Sequence, residues 1–188
     1  MGGLSRVWRN KKRPQLDIYS TLFEVIDMRS FSNLWYWLAL AVVWSSASYW
    51  VLGVPFDMIQ RAKKQGGAAQ LDLEALVAIK VRRMLIIGEV SGLWVLGFWS
   101  FALSALAVLA FAYGVEFAQA IFLILFPLTF VGARALSTAV RIRDRALEGD
   151  DLHRALLRHR FWTQIIGIAA VFVTAMFGMY QNLQLNVF

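Results

Sequence analysis

The sequence predicts an all-α integral membrane helical bundle. Two observations carry this. Of 188 residues, 59% are hydrophobic and only 16% charged, where a soluble domain holds about 45–50% and about 25%. The charges are also bunched between long apolar runs, the pattern of membrane helices and their connecting segments. No polar stretch is long enough for a second core. The chain therefore divides into a basic arm with a surface helix over 1–30 and a membrane domain over 31–188. Apolar helices are expected at about 31–54, 84–113, 115–140 and 161–180.

The elements follow in order. Arg6, Arg9, Lys11, Lys12 and Arg13 form a polybasic arm suited to anionic lipid, with a plain solvated tail as the alternative. Leu16, Tyr19, Leu22, Phe23 and Ile26 recur at helical spacing and predict a short amphipathic helix on the membrane surface or on a partner. The first apolar run lies behind this charged segment and does not read as a cleaved leader. It is uncharged and crowded with Trp and Tyr. Pro55 and Asp57 end it, and QRAKKQGGAAQ reads as a basic turn. Asp72 is placed to cap a helix that continues to Tyr113-Gly114. Such a helix would be roughly 60 Å long at 1.5 Å per residue, so its N-terminal part should project from a hydrocarbon core ~30 Å thick. Gly114 turns the chain into a third run with Pro127 mid-span, where a missing N–H and ring crowding favour a kink. Gly149 and a capping Asp150 or Asp151 precede the last run.

Arginine and lysine set the expected topology. Six lie before residue 30, six between Arg61 and Arg83, and seven between Arg134 and Arg160. None lies at the Gly114 turn or in the C-terminal tail. Basic residues favour the cytoplasm, so 56–83 and 141–160 are expected inside and the C-terminus in the periplasm of a bacterial inner membrane. The first run stays open between two readings. As a span it has enough residues but exports the arm. As a re-entrant or interfacial element it keeps all 19 basic residues inside.

Candidate sites are few. Glu89 lies in an apolar run, where carboxylates are costly and tend to be paired or functional. Its expected partner is Arg134, with Arg141 second, as an ion pair between helices or part of an ion pathway. Glu116, near the Gly114 turn, is expected to be solvated, although a ring of such residues in an oligomer could select cations. Small residues recur at Thr163, Gly167, Ala170, Thr174 and Gly178, and at Gly88, Gly92, Ser100 and Ser104. They allow close helix approach, within the chain or with a partner. His153 and His159 fall in the arginine-rich segment and lack the i,i+4 spacing of a metal helix. With no cysteine, the chain carries no thiolate metal site or Cys-ligated cluster. No cofactor, metal site or nucleic-acid interface is expected.

The stretches YSTLFEVIDMRSFSNLWYWLALAVVWSSASYWVLGVPFDM, GLWVLGF and YGVEFAQA resemble a family of small α-proteobacterial membrane proteins, some labelled as components of a Suf iron–sulfur assembly complex. The resemblance covers about Tyr19 to the third run and implies a small membrane protein. It brings no catalytic residue. The expected role is a non-enzymatic accessory, scaffolding or assembly subunit, with an oligomeric channel or small transporter as the alternative.

Overall fold

A computed structural model describes Phe31 and residues 33–185. The basic arm, with Arg6, Arg9, Lys11, Lys12 and Arg13, and the expected surface helix lie outside the described residues. The fold is all-α apart from one two-stranded hairpin. Helix α1 spans Leu34–Tyr49, strand β1 Trp50–Val51, β2 Val54–Pro55, α2 Phe56–Gln65, α3 Gly67–Ala107, α4 Glu116–Asp144 and α5 Gly149–Leu185. A π-helical turn over Val108–Ala112 continues α3. Among the described residues, three helices are long and apolar enough to cross a membrane: α3 with its π turn, α4 and α5.

The first apolar run is not one helix. Asn33 starts α1 by accepting the Trp35 N–H on its side-chain oxygen at 3.0 Å, a standard way to satisfy a first-turn donor. After 16 residues the helix stops at an antiparallel hairpin pairing Trp50 with Pro55 and Val51 with Val54. Its two turn residues, Leu52 and Gly53, have φ of +54° and +78°. Two positive φ values in succession suit the twist of a tight hairpin. Leucine is unfavourable there, and burial of the Leu52 side chain offsets the strain.

Despite its length, α1 connects the two ends of the bundle, antiparallel to α5. Phe31 packs on Gly178 and Trp44 on Gly167. The Ser48 carbonyl accepts a 3.2 Å bond from Arg160 Nε. Gly178 to Arg160 is about 27 Å of helical rise, close to the ~30 Å of a hydrocarbon core. Along α5, α1 therefore runs from the Gly178 end to the Arg160 end. Phe31 therefore lies at the Gly114 end.

Two regions result. The basic end is a packed head made of the hairpin, α2, the first half of α3, the last turns of α4 and the first turns of α5. Val51, Val54, Ile59, Leu73, Val77, Leu152 and Leu156 are buried in its core. The apolar half holds a much smaller cluster around Leu40, Trp44 and Ala170. In α3 and α4, only 6% of the most apolar window is buried within the chain.

Two local expectations are corrected. Helix α3 begins at Gly67, with only Gly66 between it and the end of α2. Asp72 is therefore inside the helix and does not cap it. Helix α5 begins at Gly149, so Asp150 and Asp151 lie in its first turn rather than before it. As expected, Pro127 lies inside a continuous helix, α4, which runs from Glu116 to Asp144.

Candidate functional site

The chemistry-bearing side chains gather where the head meets the apolar half. The Arg134 guanidinium lies 4.8 Å from the Trp162 ring centroid. The Arg160 guanidinium lies 3.4 Å from that of Phe56. A cation over an aromatic face is attracted by the ring quadrupole. Trp50, Lys80 and Arg83 continue this belt around a cavity between the hairpin, α3 and α4. Arginine and tryptophan both favour a membrane–water boundary, because each joins an apolar body to a polar tip.

The structure does not bring Glu89 to either expected partner. Glu89 Oε1 meets Arg143 Nη1 at 3.3 Å, and both side chains are well exposed. The partner depends on azimuth around α4, which position along the sequence does not give by itself. At about 100° per residue, Arg134 and Arg143 sit on opposite sides of α4, while Arg141 shares the Arg134 side. Arg134 and Arg141 therefore face α5, and Arg143 reaches towards α3. Arg141 joins Arg145, Arg154 and Arg158 around a small polar cavity with Asp151, and Arg154 pairs with that aspartate at 2.7 Å.

Within the head, Glu74 on α3 ties two helices together. Its Oε1 accepts the Gly149 N–H at 2.9 Å and the Gln70 amide at 2.7 Å. A carboxylate thus satisfies an orphan donor and faces the positive end of the dipole at the start of α5. The Gln70 amide, then the Gly149 N–H, hold the Glu74 carboxyl below its ordinary value. Gln70 Oε1 also lies 2.8 Å from His153 Nε2. Both histidines are buried, which their polar segment did not suggest. For His159 the signal was spacing: Leu152, Leu156, His159 and Thr163 follow one helical stripe. Burial, then the charge of Arg134, holds His159 below its ordinary value.

At the opposite end, Glu116 is half-buried and accepts the Phe31 N–H at 2.8 Å. Gln119 is buried. It donates to the Ala110 carbonyl at 2.8 Å and accepts from the Gln181 amide at 2.6 Å. Ala110 belongs to the π turn, whose altered ladder leaves carbonyls needing another donor. Gln119 is a buried polar junction that spacing alone did not single out.

The small-residue stripes divide. Thr163, Gly167, Ala170, Thr174 and Gly178 are all buried, beneath α1 and its neighbours. A Cβ on Gly167 would meet Trp44 at 2.8 Å. That stripe is used within the chain. On α3, Gly88 touches Leu136, whereas a Cβ on Gly92 or Gly97 would meet nothing within 4 Å. Ser100 and Ser104 are exposed.

Among the described residues, no group of three His, Asp or Glu side chains could hold a metal ion. Comparison with protein-family models, with curated proteins and with solved structures gave no match.

Proposed function

We propose that the chain is a non-enzymatic membrane subunit that docks on a larger membrane complex through α3. The observation that carries this is the unused face of α3. Leu93, Gly97, Ser100 and Ser104 fall within about 60° of one another on the helix. Leu93, Trp94, Gly97, Phe98 and Phe101 line an open apolar groove of about 560 Å³, and Trp94 is 83% exposed. Helices associate in lipid through close packing of small residues, since lipid leaves no hydrophobic drive between them. The equivalent stripe on α5 is already filled by α1, whereas among the described residues the α3 stripe is uncovered and open to a second chain.

The channel or transporter reading gains less support. Glu89 meets α4 at the head, Arg134 meets α5, and Glu116 lies at the far end against Phe31. No single helix pair joins them.

The proposed orientation keeps the basic head, with 56–83 and 141–160, in the cytoplasm of a bacterial inner membrane, and the Gly114 turn and C-terminus in the periplasm. Thirteen basic residues from Arg61 to Arg160 support this against six before residue 30. With Phe31 at the Gly114 end, this orientation puts Phe31 on the periplasmic side. The chain has no cysteine, so one introduced thiol is an unambiguous label. Arg29→Cys should react with an impermeant maleimide on intact spheroplasts, and Lys64→Cys only after lysis. The reverse pattern would invert the topology.

Docking is tested by purification in a mild detergent. The wild type should co-purify stoichiometrically with one membrane partner, and Gly97→Leu with Ser100→Leu should release it while the chain keeps its melting temperature. Recovery of the wild type as a free monomer would sink the proposal.

A further inference from the structure

We propose that the cavity between the hairpin, α3 and α4 is a binding site for an anionic phospholipid. The cavity has a volume of about 390 Å³. Lys80 and Arg83 line it, and no carboxylate does. Neither cation forms an ion pair among the described residues. The remaining wall is mostly apolar and includes Met84, Ile87 and Val131. A free phosphate would suit the two cations but leave that wall in water. An amphiphile satisfies both, with its phosphate on Lys80 and Arg83 and an acyl chain along Ile87 and Val131.

Three further observations point the same way. The cavity lies in the aromatic and arginine belt, the depth at which lipid headgroups sit. His159 lines it, is only 5% exposed, and has no hydrogen-bond partner for its Nδ1. Gly132 also lines it, and a Cβ there would meet nothing within 4 Å. The space beside α4 is therefore open to a ligand. This site is distinct from the α3 docking face and does not depend on it.

The test is native mass spectrometry of the full chain in mild detergent, with phosphatidylglycerol and phosphatidylethanolamine added in turn. The wild type should retain phosphatidylglycerol about fivefold or more over phosphatidylethanolamine, the size expected when basic residues meet anionic lipid. Lys80→Ala with Arg83→Ala should abolish that preference. Gly132→Leu should lower retention of both lipids by filling the cavity while leaving every charge in place. Arg82→Ala is the control, since Arg82 is adjacent in sequence but lines a different cavity; it should change nothing. Equal retention of the two lipids by the wild type would overturn the proposal. So would a preference that survives in the double variant, or one lost equally in Arg82→Ala. Displacement of the lipid by millimolar inorganic phosphate would reassign the site to a soluble anion. Lys80 and Arg83 contribute nothing to the buried core, so the double variant remains informative even if Gly132→Leu fails to fold.

Discussion

Along α5 one buried face runs from Leu152 to Gly178, and its chemistry changes near Thr163. In the head that face is Leu152, Ala155, Leu156 and His159, packed into a core with Leu73, Val77 and Ile142. In the apolar half it is Thr163, Gly167, Ala170, Thr174 and Gly178, laid against α1. The same helix uses large side chains in one region and small ones in the other. The solvent explains the difference. Water drives apolar side chains out of contact with it, so the head gains by burying leucine. Lipid tails are as apolar as leucine, so in the other half stability comes from how closely backbones approach. Exposed Leu93 and Phe98 on α3 are ordinary there and would be a liability in the head.

This comparison can be broken or sharpened by substitution. The largest effect is expected from Leu156→Ala or Leu73→Ala, each fully buried in the head. Either should lower stability by about 2–5 kcal/mol, read as unfolding of the head by urea in micelles. An effect below 1 kcal/mol would mean the head is not a hydrophobic core. Next comes Gly167→Val, which forces the Trp44 ring to move. Overpacking of this kind costs about 1–3 kcal/mol, and here it should loosen α1 from α5 without unfolding the head. Glycine at 92 on α3 is the matched control. Gly92→Val should leave α1 packing unchanged, measured by a disulfide trap between cysteines placed at Phe31 and Gly178.

A smaller, pH-dependent effect is expected at Glu74. Its folded value lies below its ordinary one. Its contribution is therefore present above the ordinary carboxylate range and is lost as pH falls through the folded value. Glu74→Gln should melt earlier than the wild type at pH 7, and the gap should close on acidification. A gap that stays constant from pH 7 to pH 3 would show that charge is not involved. The smallest effect is expected from Glu89→Ala. Its pair with Arg143 is exposed, and such pairs add little. No measurable change in melting temperature is expected in detergent; a clear loss would make Glu89 a structural lock.

Much of this architecture was legible in the sequence because it follows from length and hydropathy. The Gly114 turn, the long α3 and the surplus of α3 beyond a bilayer all follow from the apolar runs and helical rise. What could not be read required knowing which side of a helix meets which neighbour. Glu89 and Arg134 match in depth, yet Arg134 faces α5, and only the packing order reveals that. The buried histidines were hidden by their arginine neighbours, although for His159 the stripe from Leu152 to Thr163 carried the signal. Leu52 was unreadable for a different reason. Leucine at positive φ is held by tertiary burial, and no local propensity announces it. The divided use of the two small-residue stripes depends on where α1 lies, and α1 is the element whose path charge counting left open.

The three long helices pass from head to apolar half with no interruption at the boundary, which has a mechanical consequence. There is no joint between the two regions. A tilt imposed on α3 within the bilayer must reappear at Gly67, and over the ~35 Å that α3 extends beyond the hydrocarbon core a 5° tilt moves the helix start by about 3 Å. In geometry α3 is a lever: its apolar half and its share of the basic surface belong to one unbroken helix.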